Sequence, residues 1–294
     1  MYLYRRVVHH LRHRGMASLI KAVVRRVPDA LVPRRARTFT AILPYVRQQR
    51  GFEIGGPSAT FGRTGLLPLY GEAASLDNCN FATRTMWEGQ LAEGQPFLAG
   101  GRTLGRQYIR EALDLWGIPS DHYDFVCSAF ALQHCANPLR ALTEMQRVLR
   151  VGGVFVLLLP HKDRTFDHRR PVTTMEHLIS DFANDVGEDD MTHIAEVLEL
   201  HDLSRDNVAG TFEQFKARTL QNSRNRGVHH HVFDTRLAIQ VLDHVGLELL
   251  DVELVTVDNI ILIARKLPSG AVPDNSAVLA GAAAMRFERL RPWW

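Results

Sequence analysis

Histidine, aspartate and arginine side chains are concentrated in two short segments of the sequence. These segments are residues 161–170 and 229–231. A neutral imidazole accepts protons near pH 7, and a carboxylate beside it fixes its tautomer, so this composition is typical of general acid–base catalysis. We predict that His161 is the general base and that Asp163 or Asp167 orients it, with His134 as a further candidate. A strand-end histidine that is only a hydrogen-bonded polar group would give the same sequence.

The histidine run in the second segment raises the question of a metal site. Alternate residues of an extended segment share a face, so His229 and His231 could act together. With Asp163, Asp167 or His168 they could complete a site for a divalent ion. Because none of these sets has diagnostic ligand spacing, we predict no metal site.

Five side chains of the two segments are instead assigned to substrate binding. They are Asp167, Arg169, Arg170, His229 and His231. Guanidinium groups bind carboxylates and phosphates through planar two-point contacts, so the arginines favour an anionic acceptor such as a phosphorylated or uronic sugar. Arginines that are simply solvated explain the same pattern.

A second group of candidate residues follows the first predicted strand. Glu53-Ile54-Gly55-Gly56 follows a short strand and opens a loop. In a doubly wound sheet a nucleotide-like ligand binds at such a place, against the strand ends. Asp77 lies 24 residues after Glu53, beyond another short apolar run, where an acid typically binds the ribose hydroxyls of an adenosine. An ordinary strand-to-loop turn would also explain the glycine pair.

Residues 123–160 predict the elements that position these groups. A buried-strand run ends at Ser128, and Asn137-Pro138 is a helix N-cap followed by proline at the first helical position. Helical spacing continues to Gly152-Gly153, where we expect the helix to stop, and residues 154–159 are a second apolar strand. A strand, a crossover helix and a second buried strand make a right-handed βαβ unit.

This segment resembles a characteristic block of the class I S-adenosylmethionine-dependent methyltransferases of the type 11 kind. The matching residues are Tyr123-Asp124-Phe125-Val126, Leu132-Gln133-His134, Asn137-Pro138, Glu144, Arg147-Val148-Leu149-Arg150 and Gly152-Gly153. The resemblance covers roughly residues 50 to 160 and the terminal strands. Within the superfamily, features such as Trp87-Glu88 resemble an uncharacterised bacterial subgroup, and that likeness implies no acceptor.

The resemblance implies S-adenosylmethionine as the cofactor and assigns residues to it. The implied cofactor contacts are Glu53, Gly55, Gly56, Asp77, Glu111, Ala112 and Ser128. In this assignment the glycines form the cofactor loop, the aspartate binds the ribose, and the Glu-Ala pair borders the adenine.

The cofactor loop departs from the family pattern. The usual sequence is acid-x-Gly-x-Gly-x-Gly, whereas Pro57 and Ala59 occupy the second and third glycine positions here. Proline fixes φ and removes a hydrogen-bond donor, so we expect a differently shaped loop around the methionine end of the cofactor. The same proline argues against a dinucleotide site, because Gly-x-Gly-x-x-Gly cannot be aligned. These departures, with Gln133 in place of the usual glutamate, leave open a fold that binds without turnover.

The cofactor implied by the resemblance sets the expected reaction. A sulfonium methyl group is already activated, so the protein has to align the acceptor and exclude water. An acceptor hydroxyl or amine must also lose its proton, which the histidines could accept. We predict methyl transfer to a small-molecule or glycan-like acceptor, at oxygen. The alternative is a non-catalytic binding or scaffold protein, associated with a membrane surface.

The pattern of the whole chain predicts an α/β fold of the Rossmann-like methyltransferase type. We expect a mostly parallel seven-stranded sheet with helices on both faces and a helical insertion. The predicted units are an N-terminal segment 1–40, a methyltransferase domain 41–266 with a helical cap at about 162–228, and a flexible C-terminal tail 267–294.

The N-terminal segment is strongly basic, with ten Lys or Arg against one acid in residues 1–40. Apolar residues at three- and four-residue spacing over residues 1–27 predict an amphipathic helix that docks on an anionic membrane or packs on the domain. Aromatic residues are not interleaved with the basic ones, so we predict no nucleic-acid partner. Three cysteines without CxxC spacing and no signal-like N-terminus favour a cytoplasmic setting, and no apolar run reaches the roughly 18 residues of a membrane span.

Overall fold

This computed structural model describes residues 35–255, 259–282 and 285. The strands are β1 (Arg50–Ile54), β2 (Ser75–Asn80), β3 (Arg84–Thr85), β4 (Gly89–Gln90), β5 (Pro96–Ala99), β6 (Arg102–Ile109), β7 (Tyr123–Ala129), β8 (Leu149–Pro160), β9 (Leu247–Val255) and β10 (Asn259–Lys266). The helices are α1 (Thr38–Val46), α2 (Leu69–Glu72), α3 (Pro138–Val148), α4 (Met175–Ala183), α5 (Ile194–Leu200), α6 (Phe212–Thr219), α7 (Asn222–Asn225), α8 (Thr235–His244) and α9 (Ser276–Gly281).

The main sheet contains eight strands in the order β5, β6, β2, β1, β7, β8, β10, β9. The five strands from β6 to β8 run parallel, and β10 is antiparallel to β8 and β9. The Rossmann-like, mostly parallel sheet is therefore confirmed, but it has eight strands rather than seven. The additional strand β5 pairs antiparallel with β6 across Gly100-Gly101, whose φ angles of 61° and 80° suit glycine and close a tight hairpin.

The sheet is buried on both faces because successive residues of each strand point to opposite sides. In β8, Phe155, Leu157 and Leu159 pack into the core that contains α3 and α8. The residues between them, such as Val156 and Leu158, pack into the second core, which contains α1. The continuous apolar run in β8 predicted a strand that is buried on both faces. The structure explains this run, because each face of the strand packs into a separate core.

The crossover helix α3 begins as its sequence predicts and ends earlier. The Asn137 side chain accepts a hydrogen bond from the backbone N–H of Arg140, and Pro138 occupies the first turn. The helix ends at Val148 rather than at Gly152, because Leu149 pairs with Tyr123 as the first residue of β8 and is fully buried there. Burial in the sheet decides the boundary, and the predicted stop at the glycine pair was wrong.

Helices α4 to α7 lie between β8 and α8, and we call residues 161–234 the cap. The cap has a small apolar cluster of its own. Its buried members are Ile194, Val197, Ala209, Phe215 and Val228. Among the described residues, no helix has both the length and the apolarity that crossing a membrane requires.

The structure describes part of the predicted C-terminal tail but not the predicted N-terminal helix. Residues 1–34, and with them the predicted amphipathic helix 1–27, lie outside the described residues. In the predicted flexible tail, Asn275 is 2% exposed and its side chain bonds to Leu247, Leu249 and Asp243. The prediction of a flexible tail is therefore wrong for the residues around Asn275, because they are fixed to the edge of the sheet.

Candidate active site

A cavity of about 570 Å³ lies at the carboxyl ends of the parallel strands. Its volume is in the range of pockets that bind small ligands and cofactors. The first group of lining residues follows β1, β2, β6 and β7 and comprises Gly55, Pro57, Ser58, Asn80, Phe81, Arg110, Glu111, Ala112, Phe130 and Ala131. The second comes from loops and the cap and includes Thr85, Trp87, Glu88, His134, Phe166, Glu188, Arg226 and His229.

A buried acid supports the loop after β1 from below. The carboxylate of Glu53 accepts hydrogen bonds from the Tyr70 hydroxyl at 2.9 and 3.0 Å and from the backbone N–H of Ser58 at 3.1 Å. A Cβ on Gly56 would lie 2.1 Å from the Glu53 carboxyl carbon, so only glycine fits there. Glu53 does not line the cavity, and its predicted contact with the cofactor is replaced by support of the loop.

The backbone donors of this loop are already used within the protein. The N–H of Gly55 donates to the Cys79 carbonyl at 2.8 Å, and that of Gly56 donates to the Asn78 side chain at 3.0 Å. Pro57 has no N–H, and that of Ser58 donates to Glu53 and Tyr70. The loop therefore differs from the family pattern in its hydrogen bonding. Residues 55–58 have no free backbone N–H group to donate to a bound ligand.

Burial raises the pKa of Glu53 to about 8 from its ordinary 4.5, against smaller opposing effects of Tyr70 and Ser58. Between these two values the folded chain holds a proton that the unfolded chain has released, so the free energy of unfolding should fall as pH rises through this window. Glu53→Gln has no titrating group at this position, so its free energy of unfolding should not show this decline. By pH 8 the wild type should have lost about 2–4 kcal/mol more free energy of unfolding than the variant. Urea unfolding at several pH values measures it. Glu72→Gln is the control at an exposed ion pair, and parallel pH profiles for wild type and Glu53→Gln would contradict the assignment.

Two predicted cofactor residues lie away from the cavity. Asp77 is in the middle of β2, where its carboxylate accepts hydrogen bonds from the Tyr123 hydroxyl at 2.8 Å and from the backbone N–H of Arg106 at 2.7 Å. Ser128 is fully buried and donates to the Ile54 carbonyl at 3.3 Å. The residue that ends β2 and lines the cavity is Asn80. The spacing rule thus points to β2, whose last residue, three positions after Asp77, is the one that lines the cavity.

The cavity wall beyond β6 carries an ion-pair bridge. Glu111 and Ala112, two of the predicted cofactor residues, line the cavity. The guanidinium of Arg226, in the cap, lies 2.8 Å from a carboxylate oxygen of Glu111 and 2.8 Å from one of Glu188. Burial raises the pKa of Glu188 to about 7, although the nearby Arg226 lowers it. The bridge joins the sheet edge to the cap and closes this side of the cavity.

One carboxylate in the cavity has no protein partner, a feature that the sequence analysis did not assign to the site. Glu88 lies between Trp87 and the β4 strand, and its side chain makes no hydrogen bond or ion pair among the described residues. Burial raises its pKa. An uncompensated negative charge at a partly buried site favours a positively charged ligand.

An Asp–His pair faces the same cavity from the cap. His229 Nδ1 lies 2.6 Å from Asp167 Oδ2, and since a carboxylate can only accept, Nδ1 carries the proton. Asp167 is 3% exposed; burial opposes its ionisation, yet His229 and Arg170 outweigh burial and lower the pKa of Asp167 to about 2. Nε2 of His229 has no hydrogen-bond partner among the described residues. The pair therefore fixes the tautomer of an imidazole in the cavity wall and leaves its Nε2 lone pair available.

His134 also lines the cavity, beside His229, with ring centroids 4.8 Å apart. Its Nδ1 donates to the Val228 carbonyl at 2.9 Å, which leaves Nε2 as the acceptor. Burial, followed by the neighbouring His229, lowers the pKa of His134 to about 3. A nitrogen of such low basicity is a poor proton acceptor at neutral pH.

The remaining predicted residues do not line the cavity. His161 accepts a hydrogen bond from the backbone N–H of Asp163 at the start of a short helical turn, and the Asp163 side chain is 67% exposed. Arg169 is exposed and contacts Asp202 at 3.3 Å. His231 does not line the cavity with His229, and its Nε2 donates to the Ala136 carbonyl at 3.0 Å.

Arg170 is fully buried and cannot reach a substrate. Its guanidinium donates to Asp167 at 3.0 Å, to Glu196 at 2.7 Å, and to the backbone carbonyls of His229 and His230 at 2.8 and 3.0 Å. The predicted substrate role is replaced by one within the protein, since this cation fixes both members of the Asp–His pair.

The cavity fits the implied cofactor by its chemistry. S-adenosylmethionine carries an ammonium and a sulfonium, which match the uncompensated Glu88, and its adenosine requires hydrogen-bonding and apolar contacts. The cavity offers these through Asn80, Phe81 and Ala112. Strand order and cavity position are those typical of the class I methyltransferase fold.

Comparison with known proteins agrees with this class. Residues 91–157 match the family model described as a methyltransferase domain. No curated protein matches the sequence.

Solved structures share the fold at low identity. A complex of the Haloferax volcanii Trm112 methyltransferase activator with a methyltransferase is similar at 11% identity and TM-score 0.45, over 80% of this chain and 90% of that one. A Mesorhizobium loti S-adenosylmethionine-dependent methyltransferase is similar at 16% identity and TM-score 0.44, over 78% of this chain and 96% of that one. The Burkholderia thailandensis 1,6-didemethyltoxoflavin-N1-methyltransferase is similar at 12% identity and TM-score 0.43, over 86% of this chain and 88% of that one. Likenesses of this size carry no argument about the acceptor.

Proposed function

We propose that this methyltransferase acts on a hydroxyl oxygen of a small-molecule or glycan-like acceptor and that His229 is its general base. The observation that carries the proposal is the Asp167–His229 pair, whose unpartnered Nε2 belongs to a residue of the cavity wall. A hydroxyl needs a base at neutral pH because its own pKa is far higher. A protonated amine would need the same base, so the imidazole supports deprotonation of the acceptor, and the acceptor panel below distinguishes oxygen from nitrogen.

Residues of the strand ends would hold the cofactor, which supplies an activated methyl group when bound. Glu88 pairs with the ammonium, Asn80 bonds to the ribose in place of Asp77, and Glu111 with Ala112 borders the adenine. Gly55 has φ 84°, and a Cβ there would lie 2.9 Å from the Ala131 side chain, so glycine keeps this part of the wall open.

Proton removal is assigned to the cap. His229 accepts the hydroxyl proton at Nε2, and Asp167 stabilises the imidazolium that results and keeps Nδ1 protonated before the step. Trp87 and Phe166 line the same part of the cavity and supply apolar surfaces on which a sugar ring packs. His161, the base predicted from sequence, is not used, because it does not line the cavity.

Methyl transfer to a panel of acceptors tests the proposal. Purified chain is incubated with methyl-labelled S-adenosylmethionine and separate pools of sugars, uronic acids and small alcohols, and products are read by mass spectrometry. The expected result is one O-methylated product class. Methylation only at nitrogen or carbon would contradict the oxygen assignment. Binding of S-adenosylhomocysteine with no product from any pool would favour the non-catalytic scaffold alternative.

The role of Glu88 gives a separate prediction. Glu88→Gln removes the charge that faces the cofactor ammonium, and the loss of a charged hydrogen bond should cost about 1.5–3 kcal/mol of binding free energy. The Kd for S-adenosylmethionine should rise about 10- to 100-fold. Calorimetric titration measures it, with Glu213→Gln as a control at an exposed acid outside the cavity. An unchanged Kd for Glu88→Gln would show that another group holds the ammonium.

A further inference from the structure

A cluster of histidines in the cap lies outside the methyltransferase cavity. His177 on α4, His193 directly before α5 and His231 before α8 each offer a ring nitrogen within 4.8 Å of the other two. The Nε2 atoms of His177 and His193 are 3.1 Å apart. None of the three residues lines the cavity. Three imidazoles from three separate chain segments therefore converge on one point.

Two buried atoms of this cluster lack hydrogen-bond partners. His231 is 1% exposed, and its Nε2 donates to the Ala136 carbonyl at 3.0 Å, so Nδ1 holds the lone pair and has no partner. An N–H donated to a backbone carbonyl is the usual support of a histidine that binds metal through its other nitrogen. Asp181 Oδ2 is also buried without a hydrogen-bond partner, 3.3 Å from His177 Nε2. Buried polar atoms in native proteins normally have partners, so these two indicate a missing ligand.

The two ring nitrogens that face each other in this cluster are close enough to share a cation. At 3.1 Å the facing nitrogens of His177 and His193 need either a shared proton or a cation between them.

A neighbouring group that also contains His193 is less suitable. It consists of Asp190, His193 and His230. The Nε2 of His230 accepts from the Asn222 side-chain N–H, because the Asn222 oxygen already accepts from the Val228 backbone. Nδ1 of His230 therefore carries its hydrogen and cannot serve as a ligand without a change of tautomer. The group with His231 is the one ready to bind.

We propose that His177, His193 and His231 bind a zinc ion, with Asp181 as the fourth ligand. Zinc prefers four-coordinate sites of nitrogen and oxygen ligands, and Zn–N distances of about 2.0–2.1 Å place tetrahedral ligand atoms about 3.3 Å apart. The His177–His193 and His177–Asp181 separations are 3.1 and 3.3 Å. The His231 and Asp181 side chains would have to rotate to complete the site, since it is Nε2 of His231 that now lies 3.7 Å from Asp181 Oδ2. The sequence analysis predicted no metal site, and these residues, spread over 54 positions, form no motif from which one could be predicted.

The ion would have a structural role in the cap. It would join α4, the start of α5 and the segment before α8. All four positions are occupied by protein ligands, as in sites that stabilise a fold rather than catalyse. His231 follows His229 by two residues, so the ion also anchors the segment that leads to the cavity.

Metal content and titration test the site on untagged full-length chain. The chain is stripped with a chelator, its zinc is measured by mass spectrometry, and ZnCl₂ is added under calorimetric and thermal readout. We expect one equivalent to bind and the Tm to rise by about 5 °C at saturating zinc. Cobalt in place of zinc should show the intense visible absorption of a four-coordinate site. Failure of the wild-type chain to bind zinc, or a six-coordinate cobalt spectrum, would overturn the proposal.

Variants locate the site. His177→Gln is the first choice, since this side chain is 41% exposed and its loss should leave the fold intact by circular dichroism. His177→Gln and His193→Gln should each lose the zinc equivalent, whereas His244→Gln, at an exposed histidine at the end of α8, should retain it. Equal binding by all three variants would show surface association and refute the site. Should a cluster variant fail to fold, the wild-type stoichiometry and cobalt spectrum still decide.

Discussion

Replacing His229 by alanine should lower kcat for methyl transfer about 10²- to 10⁴-fold, the range that a positioned general base contributes. The physical reason is that His229 lines the cavity and its Nε2 has no hydrogen-bond partner among the described residues, whereas burial lowers the pKa of His134 to about 3. The Kd for S-adenosylhomocysteine should change by less than about twofold, because the base belongs to the acceptor side of the cavity. Steady-state kinetics and calorimetry measure the two quantities on the same preparation.

The control for this experiment is the base that sequence alone predicted. His161→Ala removes a histidine that does not line the cavity, and its kcat should stay close to that of wild type. Asp167→Asn should fall between the two, since the imidazole loses the carboxylate that orients it. A larger loss in His161→Ala than in His229→Ala would reverse the assignment.

Replacing Arg170 by leucine should lower the free energy of unfolding by about 3–5 kcal/mol, the cost of removing one partner from a buried ion pair. Asp167 would remain buried with one cationic partner fewer, and the His229 and His230 carbonyls would each lose a donor. The Asp–His pair would also lose its alignment, so we expect kcat to fall together with stability. Urea unfolding and kinetics at low temperature, where the variant stays folded, measure both effects.

Arg169→Leu is the matched control for this variant. The two arginines are adjacent, but Arg169 is 53% exposed and makes one ion pair, with Asp202. Exposed ion pairs contribute about 0–1 kcal/mol, so this variant should be near wild type in stability and rate. Equal destabilisation by the two substitutions would mean that the buried guanidinium is not what organises the cap.

The elements that local patterns determine were predicted well. The strand before Ser128, the capped start of α3 and the apolar strand β8 depend on short-range rules of capping and periodicity, and the structure contains them. Glu111 and Ala112 were placed in the cavity wall by resemblance and do line it. The roles of these residues toward the cofactor are still predictions.

Long-range pairing was beyond sequence patterns. Asp167 and His229 are 62 residues apart, and no periodicity relates a loop after β8 to a segment before α8. The ribose position was assigned to Asp77 because an acid was expected, although the strand continues to Asn80, where the cavity begins. Pairing and burial, rather than residue type, decide which side chain reaches a ligand.

The most direct measurement is a calorimetric titration of S-adenosylhomocysteine into wild type and into Ala112→Trp. Ala112 lies in the cavity wall, so an indole at this position would occupy the space assigned to the adenine. The site described above predicts one bound equivalent for the wild type and no binding for a folded Ala112→Trp variant. Absence of binding to the wild type, or undiminished binding to the variant, would contradict the placement of the cofactor at the ends of β1, β2 and β6.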